Sequence, residues 1–111
     1  MNRTAFGVAI ADKLDHHNLL TSATRSQKEA AAAAVHDELH EWAVEHLPMG
    51  ASANETERCL RNGLRHVRTK FGNMSDAECQ QSFGFPILLV LGLIPTLVSW
   101  IKMLVEWWNG E

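Results

Sequence analysis

Three histidines, His36, His40 and His46, lie at the first, fifth and eleventh positions of the stretch HDELHEWAVEH, residues 36–46. Neutral imidazoles one helical turn apart are frequent ligands of zinc and other divalent ions. This spacing therefore raises the chemistry of a metalloenzyme, in which a bound ion activates a water molecule for hydrolysis.

The same stretch resembles HExxHxxGxxH, the zinc-binding motif of the metzincin proteases, which would make the three histidines zinc ligands. The resemblance covers only these eleven residues. Asp37 stands where the general-base glutamate should be, and Ala43 stands where a glycine turns the chain. On an unbroken helix His46 lies about 15 Å along the axis from His36, whereas ligand bonds are about 2 Å long. We therefore predict no catalytic zinc site and no enzymatic activity, with His36 and His40 as weak metal-binding candidates.

A second stretch, RCLRNGLRHVRTK at residues 58–70, carries five basic residues and no acidic one. Its apolar residues recur at helical spacing, so the basic side chains spread over the opposite side of the helix. Such a surface binds the phosphates of anionic lipid head groups or of nucleic acid, unless the acidic residues within 37–45 neutralise it. We favour lipid over nucleic acid as the partner, with contacts from Arg58, Arg61, Arg65, Arg68 and Lys70.

Length and composition limit the remaining possibilities. A chain of 111 residues with net charge −3 has room for one compact domain, and its bulk charge does not favour nucleic-acid binding. Two cysteines, Cys59 and Cys79, fit no paired metal-ligand spacing. Free thiols in a reducing compartment are the favoured interpretation, and a disulfide is the alternative. We expect no cofactor.

Helical spacing and capping signals organise the first 82 residues, where strand-type alternation is absent. Three pairs have the spacing of a capping box, namely Ser26 with Glu29, Asn54 with Glu57, and Ser75 with Glu78. We predict a helical domain over residues 1–82, with helices at about 4–20, 26–47, 54–71 and 75–82. Two apolar seams should pack its long helices together, formed by Val35, Leu39, Trp42, Leu60, Leu64, Val67 and Phe71.

The stretch FGFPILLVLGLIPTLVSWI, residues 83–101, contains no ionisable group. A helix from Pro86 to Trp108 would be about 34 Å long, which matches a hydrocarbon core of about 30 Å and part of its interface. We predict one transmembrane helix over residues 83–108, kinked at Pro95, and a short tail over 109–111. The alternatives are an in-plane or re-entrant segment broken at Pro95, and a core helix of a soluble oligomer.

The flanks of this segment suit a membrane interface. We expect interface anchors at Trp100, Lys102, Trp107 and Trp108. A strip of small residues, Gly92, Thr96 and Ser99, should pack against other membrane helices. Basic residues are more numerous before the segment than after it, so the amino-terminal domain should be cytoplasmic.

The sequence thus predicts an all-α protein with an amino-terminal helical hairpin or bundle and one carboxy-terminal transmembrane helix. We expect a non-enzymatic, single-pass, tail-anchored protein that serves as a small structural or accessory subunit of a membrane-associated assembly. Its partners would be other membrane subunits, copies of itself and anionic lipid head groups. The alternatives are an oligomeric, holin-like or toxin-like pore former and a metal-binding helical protein that uses His36 and His40.

Overall fold

The computed structural model describes residues 2–110, and these form six helices and no strand. The prediction of an all-α fold is confirmed. The helices are α1 Arg3–His16, α2 Arg25–His46, α3 Ala53–Gly72, α4 Asp76–Phe83, α5 Ile87–Ser99 and α6 Ile101–Asn109.

The long helix α2 lies at the centre of the molecule and packs against α1, α3 and α5. Its alanine run, residues 31–34, is buried, and these small side chains let neighbouring helices approach closely. The two backbones come close together at Gly7 of α1, where an added Cβ would lie 2.7 Å from the backbone oxygen of Glu29. The α1–α2 contact therefore depends on a residue without a side chain at this position.

Two of the three predicted capping boxes are wrong by two residues. The box of α2 is formed by Thr24 and Gln27, and the box of α3 is formed by Ser52 and Glu55. Only the third cap falls where the sequence predicts it, since the Ser75 side chain accepts a hydrogen bond from the Glu78 amide at 3.1 Å.

The displaced boxes have a common cause. Each glutamate expected to reach back to a cap instead pairs with an arginine four residues away on its own helix. Glu29 accepts from Arg25 at 2.6 Å, and Glu57 accepts from Arg61 at 3.4 Å. Pairs at this spacing lie on one side of a helix, so the carboxylates have partners other than the caps.

The predicted continuous helix over residues 83–108 is also wrong. Helix α4 ends at Phe83, where Gly84 adopts a left-handed conformation with φ 80°. Helix α5 then continues through Pro95, and the next break falls at Trp100, which separates α5 from α6. The apolar segment is therefore divided into short helices, and the break that ends α5 lies at Trp100, five residues after the proline, instead of at the proline itself.

These short helices bury apolar side chains in the same core as α1, α2 and α3. Helix α5 packs against α2 and α3, and α6 packs against α3. The buried residues that they contribute are Leu89, Val90, Leu93, Ile94, Leu97, Ile101, Leu104 and Trp107. Those from the predicted seams are Val35, Leu39, Leu60, Leu64, Val67 and Phe71, whereas Trp42 is half-buried.

Within residues 2–110, no helix taken alone has both the length and the apolar character needed to cross a membrane. Helices α4 and α5 together meet the criteria of length and composition, but their axes are bent by 83°.

Candidate functional site

A groove lies between α3 and α5, and we call it the α3–α5 groove. Its central part has a volume of about 380 Å³. Residues at helical spacing form both walls, because positions three, four and seven apart lie on one side of a helix. The α3 wall is Arg61, Arg65 and Arg68, and the α5 wall is Leu91, Ile94, Pro95 and Val98.

The groove continues in both directions from this centre. At one end, Arg65, Arg68 and Leu91 also line a cavity of about 420 Å³ that includes Thr69 and Asn73. At the other end, Arg61, Pro95 and Val98 also line a cavity of about 550 Å³. Its remaining wall residues are Lys13, Ser99, Trp100, Ile101, Lys102 and Met103. The three cavities share walls, so they form one elongated surface.

Positive charge is concentrated along this groove. Half of the ten basic residues of the chain line it, namely Lys13, Arg61, Arg65, Arg68 and Lys102, and no aspartate or glutamate of residues 2–110 does. Arg61 is partly neutralised by Glu57. For the other four, no carboxylate of the described chain lies within ion-pair distance. The groove is thus electropositive although the whole chain is acidic.

The other two basic residues predicted to contact phosphate lie outside the groove. Lys70 projects from the other flank of α3 and donates to Glu38 of α2 at 2.6 Å. Arg58 lies beside Trp42 and His46 on a separate surface. The acidic residues of α2 therefore neutralise Lys70, whereas the arginines of the groove wall lie out of their reach.

The outer side of α5 adds an exposed apolar edge to the groove. The Leu88 side chain is 74% exposed, and Pro95 is also exposed. Pro95 has no amide hydrogen to donate to the carbonyl of Leu91, so the helix weakens where it faces the arginines. Cations on one wall and apolar atoms on the other give the groove an amphipathic lining.

Of the predicted strip of small residues, Ser99 lines one end of the groove, whereas Gly92 lies on another side of α5. A Cβ added at Gly92 would lie 2.9 Å from the Leu20 side chain, so this position faces the segment between α1 and α2. The Thr96 hydroxyl donates to the Gly92 carbonyl, and the Ser99 hydroxyl donates to the Thr96 carbonyl. These hydroxyls thus bond their own helix, and packing of the strip against other membrane helices stays a prediction.

The four predicted interface anchors differ in burial and in the residues that they contact. The Trp100 ring lies 4.9 Å beneath the Lys13 ammonium, and Lys102 is exposed at the end of the groove. Trp107 is buried, with its ring 4.9 Å from that of Phe6. Trp108 is half-buried. Their role at a membrane interface stays a prediction.

The histidines of the opening stretch do not converge on one point. His36 is buried, and its ring stacks on that of His40 at 5.8 Å. His46 instead stacks on Trp42 at 3.8 Å. Across residues 2–110, no group of three or more histidine, cysteine or acidic side chains is arranged to hold a metal ion.

The two cysteines are both buried and are not joined in a disulfide. Burial raises the pKa of each thiol, and for Cys59 a hydrogen bond with Trp42 opposes this effect in part. A raised pKa keeps a thiol protonated and poorly nucleophilic at neutral pH.

Sequence reasoning found the arginine wall of the groove but not its partner. The predicted transmembrane helix places Leu91, Ile94 and Val98 within the bilayer, and no pattern in the sequence singles out Lys13. The spacing of the three apolar residues was visible in the sequence, but the packing of α5 on α3 was not.

Comparison of the chain with protein-family models, with curated proteins and with solved structures gave no match. The functional interpretation therefore depends on the geometry and charge of the α3–α5 groove.

Proposed function

We propose that this protein is a non-enzymatic accessory subunit of a membrane-associated assembly and that it attaches to anionic membrane surfaces through the α3–α5 groove. One observation carries the proposal: Lys13, Arg65, Arg68 and Lys102 have no acidic partner among residues 2–110 and adjoin an apolar wall. Phosphate head groups satisfy the cations, and the acyl region beneath them accepts the apolar edge.

The combination of charges and apolar atoms favours a membrane over nucleic acid. A basic residue near an anionic leaflet contributes about 1 kcal/mol to binding, and arginine can bind phosphate with two parallel hydrogen bonds. Pro95 lines the groove with the arginines, and the exposed Leu88 lies three residues before Leu91 on the same side of α5. Both side chains can enter the boundary between head groups and acyl chains. Tracking of a nucleic-acid backbone would leave these apolar side chains in water.

Vesicle flotation tests the proposal. We expect the protein to float with vesicles of equal parts phosphatidylcholine and phosphatidylglycerol at low salt, but not with phosphatidylcholine alone. Replacing Arg65 and Arg68 together by glutamine should weaken vesicle binding about 30-fold, since two contributions of about 1 kcal/mol are lost.

A matched control separates the groove from overall charge. The double variant Arg3→Gln, Arg58→Gln changes net charge by the same amount at positions outside the groove. It should bind anionic vesicles within about threefold of the native protein, because distant exposed charges are screened by salt. Equal loss of binding in both double variants would mean that the groove has no special part in attachment.

The second candidate is the transmembrane arrangement expected from the sequence, in which residues 83–108 anchor a structural subunit in the bilayer. The observation in its favour is that α4 and α5 together have the length and composition of a span. Such a span requires the buried side chains of α5 and α6 to leave the core. Extraction of membranes at alkaline pH distinguishes the two, because a surface-bound protein is released and a spanning protein stays with the lipid.

A further inference from the structure

We propose that the α3–α5 groove holds a single molecule of an anionic amphiphile. Its phosphate or carboxylate head would bind between Arg65 and Arg68, and its hydrocarbon chain would lie along α5. This inference rests on the proposed function, because it names the ligand of the same groove, but it makes the stronger claim of a one-to-one binding site.

The head-group end is identified by its polar atoms. Arg65 and Arg68 lie on adjacent turns of α3 and line the cavity that also contains Thr69 and Asn73. The Thr69 hydroxyl already donates to the Arg65 carbonyl at 3.1 Å, which leaves the two guanidinium groups and the Asn73 amide as available donors. Planar guanidinium groups match the oxygens of a phosphate or a carboxylate.

The chain end is identified by its apolar atoms. From Leu91 to Val98 the α5 wall runs for about 10 Å along the helix axis. Beyond Val98 the groove continues past Ile101 and Met103 toward the Trp100 ring. Lys13 and Lys102 also line this end, and their long side chains can keep the ammonium groups in water while their stems cover the chain. The central volume of about 380 Å³ lies within the range of about 300–1,000 Å³ that is usual for small-molecule sites.

A simpler ligand matches only one half of this lining. An inorganic anion would satisfy Arg65 and Arg68 but leave the Leu91–Val98 wall in water. A neutral hydrocarbon would cover that wall but leave the guanidinium groups without a counter-charge. A molecule with both parts complements Arg65, Arg68 and the Leu91–Val98 wall together.

Isothermal titration calorimetry with decyl phosphate, below the concentration at which it forms micelles, tests the proposal directly. We expect saturable binding of one molecule per chain. Inorganic phosphate and decanol, each carrying one half of the ligand, should bind at least about tenfold more weakly.

Variants assign the two ends of the ligand. The double variant Arg65→Gln, Arg68→Gln should lose about tenfold or more in affinity for decyl phosphate. Val98→Thr keeps the shape of the side chain but replaces one methyl group of the apolar wall by a hydroxyl, and should weaken binding about threefold or more. The control Arg3→Gln, Arg58→Gln should bind as the native protein does. Circular dichroism of each variant checks that it is folded.

The outcomes separate this inference from the proposed function. Flotation with anionic vesicles but no one-to-one binding of decyl phosphate would overturn the single-molecule site and leave membrane attachment standing. Stoichiometric binding of decyl phosphate without flotation would support a site for a free anionic amphiphile and overturn membrane attachment. Equal affinity of the native protein and the arginine double variant would also overturn the inference.

Discussion

At the scale of single residues, the close contact between α1 and α2 requires a glycine at position 7. A Cβ at this position would lie 2.7 Å from the Glu29 carbonyl oxygen, which belongs to the backbone and cannot swing aside. Gly7→Ala should therefore lower the free energy of unfolding by about 1–3 kcal/mol, as overpacking of a core does. Urea unfolding followed by circular dichroism measures this change.

Gly72 provides the matched control, because a Cβ there would meet nothing within 4 Å. Gly72 is the last residue of α3 and is exposed. Gly72→Ala should leave stability unchanged or raise it by up to about 1 kcal/mol, since alanine restricts the unfolded chain. A native-like midpoint for Gly7→Ala would show that α1 and α2 are not in close backbone contact at this position.

The basic residues of α3 show what a sequence can and cannot specify at this scale. Spacing alone places Arg61, Arg65 and Arg68 on one flank of the helix and Lys70 on the other. It does not tell which flank meets an acidic neighbour, because that depends on how α2 and α5 pack around α3. Lys70 reaches Glu38, whereas Arg65 and Arg68 face the apolar wall of α5.

At the scale of elements, the start of α2 offers a direct test between two capping registers. The Thr24 hydroxyl accepts from the Gln27 amide at 3.1 Å, whereas the hydroxyl of Ser26 lies inside the first turn of the helix. Thr24→Ala should therefore cost about 1 kcal/mol of unfolding free energy, and Ser26→Ala should change it by no more than a few tenths. Chemical denaturation of the two variants side by side measures the difference.

A larger loss of unfolding free energy for Ser26→Ala than for Thr24→Ala would mean that Ser26 caps α2, as the sequence predicts. Both registers satisfy the same local pattern, so local sequence cannot choose between them. Glu29 is drawn to Arg25, which leaves Gln27 to complete the box of Thr24. At α4 the Ser75 cap forms at the predicted residue, although among residues 2–110 only the serine half of that box is present.

In the carboxy-terminal segment, the local sequence pattern predicts the wrong helix lengths. Its uniform apolar character predicted one long helix, and such a helix is too large for a shell of about eighty residues to cover. The break at Trp100 reduces the apolar surface that each helix must bury. Helices α5 and α6 are only about 20 Å and 14 Å long, and each buries only part of its surface. Nothing in the local sequence marks this break as clearly as Pro95 marks a kink.

At the scale of the whole molecule, an ion-pair cluster between α1 and α2 predicts how stability depends on pH. Asp15 accepts from the buried Lys28 ammonium and from Arg25 at 2.9 Å, and these bonds hold the pKa of its carboxyl below the usual range. Since the pKa is lower in the folded chain, the stabilisation is complete above about pH 4 and is lost as the pH falls through the folded-state pKa.

Asp15→Asn should therefore unfold at a lower urea concentration than the native protein at pH 7. The gap between the two midpoints should narrow as the pH falls below about 4, where the native carboxyl also becomes neutral. Glu41→Gln is the control, because Glu41 is exposed and has no ion-pair partner among residues 2–110. A gap between the Asp15→Asn and native midpoints that is the same at pH 7 and below pH 4 would exclude the cluster as its cause.

The uneven distribution of charge gives the molecule a preferred orientation near a charged surface. An acidic net charge of −3 predicts repulsion from an anionic surface at long range. Within about 10 Å in ordinary buffer, however, local charge outweighs the total. An anionic surface then attracts the groove side and repels the acidic α2 side. The protein is therefore oriented with its groove toward the surface before contact. A measurement of isoelectric point alone would thus misjudge which surfaces this protein approaches.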